Sequence, residues 1–118
     1  INTPLMKKVE KGWGYEVWIH NDENYCGKLL FFKEGKRCSL HYHKLKTETF
    51  YLQSGKMECT FYNLDNPDKK NTIIMKPGDM KEIPPGLVHQ MLALETSELF
   101  EFSTQHFDTD SYRIKKGD

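Results

Sequence analysis

The sequence carries no excess charge of either sign, because 17 Lys and Arg offset 17 Asp and Glu. Without a basic surplus it lacks the electrostatic footprint of a protein that binds nucleic acid or anionic membranes. Long apolar runs are missing too. Stretches such as residues 29–32 hold only a few residues, far short of the roughly 20 that a membrane-crossing helix needs. No succession of charged, apolar and small residues of the secretory type opens the chain, and it starts at Ile1 rather than Met, as a trimmed chain does. Cysteine is scarce: Cys26, Cys38 and Cys59 are an odd set with no C-x-x-C spacing. That pattern fits a reducing cytoplasm better than a disulfide framework. Hydrophobic residues make up only 37% of the chain and mean hydropathy is −0.72, figures that alone lean toward disorder.

What is present reverses that reading. Aromatic residues reach 13%, whereas disordered chains combine few aromatics with high net charge. A length of 118 residues suits one small globular domain, residues 1–118, with an aromatic-rich core. Apolar residues alternate with polar ones at period two, the signature of strands, and helical periodicity is nearly absent. Strands are expected over residues 15–20, 25–33, 38–43, 47–53, 56–62, 72–76, 80–83, 88–94 and 99–103. Ser54-Gly55 marks a hairpin, Pro77-Gly78-Asp79 a turn and Pro84-Pro85-Gly86 an abrupt corner. Residues 63–71 are a polar loop, and the last dozen residues are polar as well. Eight or nine strands at intervals of roughly ten residues predict an all-β sandwich or barrel, a single jelly roll.

Four side chains stand out chemically. His41-Tyr42-His43 places two imidazoles at i and i+2, the same face of a strand. Glu48 opens the next strand, and His89 follows the proline-glycine corner. Three neutral imidazoles and one carboxylate suit one divalent transition metal, whether Zn²⁺, Mn²⁺, Fe²⁺, Ni²⁺ or Co²⁺. Alternation from His41 and His43 also turns Arg37 and Ser39 inward. From Glu48 it turns Phe50 and Leu52 inward, and from His89 Met91 and Ala93. The expected pocket then joins a metal, a cation and apolar walls, as small-molecule sites do.

The frame around these residues resembles the cupin superfamily. Gly35, five residues, His41-Tyr42-His43, four residues, Glu48, six residues and Gly55 match its first motif. Gly78, five residues, Pro84-Pro85-Gly86, two residues and His89 match its second, although Ala93 stands where the pattern usually has Asn. The resemblance implies a conical double-sheet jelly-roll barrel with the metal held inside by His41, His43, Glu48 and His89. A narrower resemblance lies outside the two motifs. Lys11-Gly12-Trp13-Gly14-Tyr15-Glu16-Val17-Trp18, and Glu101 to Asp108 followed by Asp110, Tyr112 and Arg113, are similar to segments of mannose-6-phosphate isomerase-like cupins. Gly12 replaces that branch's usual proline.

This branch implies metal-dependent interconversion of an aldose and a ketose, with a sugar or sugar phosphate as substrate. Such chemistry needs a Lewis acid at the carbonyl and an acid/base beside it. Glu48, Glu101 and His106 are candidate catalytic groups. Arg37, Lys46 and Arg113, with Lys44, are candidate contacts to a phosphate or hydroxyl. Tyr15, Trp18 and Phe31 offer apolar surface for a homodimer. Two other functions share the same metal shell: a nonhaem metal-dependent dioxygenase, and a non-catalytic cupin that only binds a metal or sugar.

Overall fold

The computed structural model describes residues 6–118. Eleven antiparallel strands form two sheets: β1 (Lys7–Lys11), β2 (Gly14–Asn21), β3 (Cys26–Phe32), β4 (Leu40–Tyr42), β5 (Glu48–Ser54), β6 (Met57–Asn63), β7 (Asn71–Met75), β8 (Met80–Ile83), β9 (Leu87–Ala93), β10 (Ser97–Ser103) and β11 (Tyr112–Lys115). The only helical element among the described residues is a 3-10 turn, Asp108–Asp110. The six-stranded sheet runs β1-β2-β3-β10-β5-β8 and the five-stranded sheet β11-β4-β9-β6-β7. The fold is the all-β jelly-roll barrel that the alternation and the cupin resemblance predict. The crossover order follows from it, since strands far apart in sequence pair while hairpin neighbours such as β2 and β3 stay adjacent.

The alternation produces the core directly. On β3, Cys26, Lys28, Leu30 and Phe32 point inward and the residues between them outward. On β5, Glu48, Phe50 and Leu52 do the same, and on β9 His89, Met91 and Ala93. Trp13 stacks on Phe32 with ring centroids 4.0 Å apart, and Leu52, Met57, Cys59, Met75, Ile83 and Leu99 complete the apolar interior. The β5–β6 hairpin turns at Gly55, whose φ of +92° is one that residues with a Cβ avoid. A Cβ there would also collide with the Thr96 carbonyl and Ser97.

Two strands were not expected. β1 reads Lys-Lys-Val-Glu-Lys and β11 is the short run Tyr-Arg-Ile-Lys, and neither has a fully buried residue. Both are edge strands, held by pairing with β2 and β4. Charged edges of this kind resist further strand addition. All three cysteines are buried and free. No helix among the described residues is long and apolar enough to cross a membrane.

Candidate metal centre and buried polar cavity

His41 on β4 and His89 on β9 are cross-strand partners, with ring centroids 4.5 Å apart. His43 follows just beyond β4, its ring 5.0 Å from that of His41 and 5.6 Å from that of His89. The three rings converge, each offering a ligand atom within 4.8 Å of the others. Their other nitrogens are occupied. His41 Nδ1 lies 2.9 Å from the Ser39 carbonyl, His43 Nδ1 2.8 Å from the Asp110 carbonyl and His89 Nδ1 3.0 Å from the Leu87 carbonyl. A carbonyl can only accept, so each Nδ1 carries a proton, and in the neutral form of each ring Nε2 then keeps its lone pair. Burial pulls His41 down to about 3, helped by the neighbouring His89, and pulls His89 down to about 4. Both imidazoles are therefore neutral near pH 7, the form that binds metals.

Glu48 adds a carboxylate to this group. Its Oε2 lies 3.1 Å from His43 Nε2 and 3.8 Å from His89 Nε2. Glu48 Oε2 and His89 Nε2 are both buried without a hydrogen-bond partner. Lone pairs facing one another in a buried site are costly unless a cation lies between them. The donor set therefore fits a divalent ion: His41, His43 and His89 could hold it, with Glu48 beside them.

Asp110 orders the loop that carries these ligands. Its carboxylate accepts the N–H groups of Lys44, Leu45 and Lys46, while its own carbonyl receives His43 Nδ1–H. Burial alone would raise its pKa, but the three N–H donors outweigh that and hold it below the ordinary value. In the sequence Asp110 stands only as part of the C-terminal segment that resembles the isomerase-like branch, with no role attached to it. A short acidic residue far from the loop it caps leaves no local signal.

Next to the imidazoles lies a second buried cluster. Lys46 Nζ donates to Glu101 Oε2 at 3.1 Å and lies 3.1 Å from His106 Nδ1. His106 Nε2 is 3.0 Å from Asp108 Oδ1, and Ser103 Oγ donates to Glu101 Oε2 at 3.0 Å. Burial would raise Glu101, yet Lys46 and Lys28 together hold it well below the usual carboxylate range. Burial and the same two lysines push His106 down. Glu101 is thus ionised, and His106 neutral, with Nδ1 accepting from the lysine and Nε2–H donating to Asp108. The two candidate acid/base groups, Glu101 and His106, meet through Lys46. The lysine is only 3% exposed, so it sits inside the site rather than at its rim.

Both clusters line one cavity of about 580 Å³. Arg113, the register partner of His41, reaches its mouth and is exposed. Arg37 does not line it, which corrects the inward orientation expected from alternation. Its guanidinium is half exposed, with Nε 3.9 Å from Asp118 Oδ2. Regular β4 starts only at Leu40, so the parity from His41 does not extend back to Arg37, and Cys38 is buried instead. Lys44 lies over the Tyr112 ring on the exterior. Trp18, expected as dimer surface, lines the cavity, whereas Tyr15 and Phe31 stack at 4.9 Å outside it. Lys28 and Glu16 also line the cavity; alternation on β3 could have turned Lys28 inward, but a lysine reads as solvated.

The sequence profile of the cupin domain matches residues 29–103. A search of curated protein sequences finds no match. Among solved structures, the capsular polysaccharide assembling protein CapF from Staphylococcus aureus superposes with a TM-score of 0.84 at 19% identity, over 96% of this chain and 33% of that one. Its complex with the inhibitor 3-isopropenyl-tropolone gives 0.83 at 20% identity, over 96% and 35%. Oxalate decarboxylase from Bacillus subtilis, in a structure concerned with its Mn(II) centres, gives 0.78 at 24% identity, over 92% and 30%. The chain spans about a third of the length of these proteins, and the likeness is one of fold.

Proposed function

The chain belongs to the cupin domain family, and from that premise we propose that it is a metal-dependent aldose–ketose isomerase of the mannose-6-phosphate isomerase type. The carrying observation is the pair of clusters in one cavity: three imidazoles with free Nε2 lone pairs beside Glu48, and Glu101 joined to His106 through Lys46. His41, His43, Glu48 and His89 would hold a divalent metal, which when bound would supply Lewis acidity at the sugar's reacting oxygens.

Isomerisation moves one proton between C1 and C2 and one between the two oxygens. Glu101, ionised and buried, takes the carbon-bound proton and returns it to the neighbouring carbon. The cations that keep it charged also make it a weak base, so its task depends on a carbon acid already made stronger by the metal centre. Lys46 holds the carboxylate in place and is itself held by His106 with Asp108 behind it. Through its third N–H it gives a proton to the oxygen that becomes a hydroxyl as it takes one from the oxygen that becomes the carbonyl. Arg113 at the mouth contacts a hydroxyl of the sugar. The same proposal places the chain in a reducing cytoplasm, where three unpaired thiols persist, and makes it a homodimer.

The test is turnover of mannose 6-phosphate to fructose 6-phosphate by metal-loaded protein, with and without chelator. Product that disappears on chelation and returns with metal supports the proposal. A metal-loaded protein that turns over neither phosphorylated nor free sugars refutes it.

A further inference from the structure

Lys28 is a buried cation to which the isomerisation scheme gives no contact with the substrate. It lies on β3, where Trp18 of β2 and Glu101 of β10 are its register partners, and it is only 2% exposed. Its Nζ sits 4.2 Å from the centre of the Trp18 ring. The one carboxylate oxygen within 4.0 Å of it among the described residues is Glu16 Oε1, 3.8 Å away and too far for a hydrogen bond. That oxygen already accepts Trp18 Nε1–H at 2.8 Å. Glu101, its cross-strand partner, feels the charge of Lys28 but gives its Oε2 to Lys46 and Ser103 rather than to Lys28.

An ammonium has three N–H donors, and leaving them without an anion in a buried setting is costly. Lys28 nonetheless lines the same cavity as the imidazoles, on the side of Trp18 and Glu101. An anionic ligand at this end of the cavity would give the ammonium the acceptor that no side chain among the described residues supplies at hydrogen-bond distance.

We propose that Lys28 Nζ is the binding point for an oxyanion carried by the substrate, a phosphate or a carboxylate, with the Trp18 ring as the wall beside it. The ligand then spans the cavity, with its oxyanion on Lys28 and its reacting oxygens toward the imidazoles. This rests on the isomerase reading for the sugar alone; the oxyanion contact follows from Lys28 and its surroundings.

Binding, rather than turnover, is the test. Mannose, mannose 6-phosphate, glucuronate and inorganic phosphate are titrated calorimetrically into the full chain, as wild type, Lys28→Met and Lys28→Arg. Lys28→Met should weaken the preferred anion at least tenfold and leave mannose unchanged, and Lys28→Arg should retain most of the affinity. Preference for mannose 6-phosphate over glucuronate assigns a phosphate, and the reverse a carboxylate. In the unmutated protein the same anion should shift the Trp18 indole N–H resonance and leave that of Trp13 in place, a readout that does not depend on any variant folding. Anion binding that Lys28→Met leaves intact, or an undisturbed Trp18 signal at saturating anion, overturns the proposal. If Lys28-dependent binding occurs without isomerisation, the isomerase reading fails and the oxyanion site stands. Isomerisation that Lys28→Met leaves untouched removes the site and spares the isomerase.

Discussion

His41 and His89 come from distant parts of the chain, yet they are direct cross-strand partners on β4 and β9, with ring centroids 4.5 Å apart. Register alone brings the two cupin motifs together. His43 and Glu48 complete the group because the β4–β5 loop is tied down by Asp110.

Metal removal gives the first prediction. Changing His41 and His43 together to Ala should abolish binding of about one divalent ion per chain, measured by elemental analysis after dialysis. Metal that binds only the folded state should stabilise wild type by about 2.7 kcal/mol when free metal is 100 times its Kd. The double variant should show no such gain in a thermal melt. Full metal occupancy in that variant would contradict the ligand assignment.

Asp110→Ala tests the loop clasp. Three backbone N–H groups lose their shared acceptor, which should cost about 1–3 kcal/mol in a urea melt. The backbone carbonyl that orients His43 remains, but its support moves. Metal affinity should fall about 10–100-fold, the usual effect of loosening a group behind a ligand.

Glu101→Gln removes the carboxylate that Lys46 hydrogen-bonds and leaves it only Glu48 Oε1, 4.0 Å away. Breaking a buried pair in this way should destabilise the protein by about 3–5 kcal/mol at neutral pH. It should slow isomerisation without emptying the metal site. The sign with pH is fixed by the depressed folded-state pKa of Glu101. Its contribution is fully present above the unfolded value near about 4.3 and is lost as pH falls through the folded value. The stability gap between wild type and variant should therefore close below pH ~4, which denaturant melts across that range would show.

Much of this was readable in the sequence, and the gaps have physical reasons. Nine strands announced themselves because each buries one face, so apolar residues alternate along it. β1 and β11 bury almost nothing and add only exposed lysine–aromatic and tyrosine contacts to their backbone pairing, which leaves no pattern to read. The imidazoles could be found because their spacing is local and chemically distinctive. Lys46 and Lys28 could not be assigned to the interior, since a lysine is ordinarily solvated and only tertiary pairing with Glu101, Glu16 and Trp18 puts it there. Arg37 went the other way: alternation is reliable within a strand and fails where the strand has not yet begun.

The outer face of the six-stranded sheet is where the proposed homodimer would form. Val17, Leu29, Phe100, Tyr51 and Met80 lie in one register row across β2, β3, β10, β5 and β8. Phe102 beside them is 55% exposed and Met80 53%. A row of this length is where a second copy would bury apolar area. Light scattering should give twice 13.9 kDa, and Phe102→Asp should return it to the monomer mass. A strictly monomeric wild type would remove the dimer.

The most direct test of the isomerase account is proton NMR of mannose 6-phosphate incubated in D₂O with metal-loaded protein. The account predicts fructose 6-phosphate, with solvent deuterium entering at C1 of the ketose and C2 of the aldose, and loss of both signals on chelation. Metal-loaded protein that forms no product and exchanges no deuterium, yet consumes O₂ with a small substrate, would contradict it and put the dioxygenase chemistry in its place.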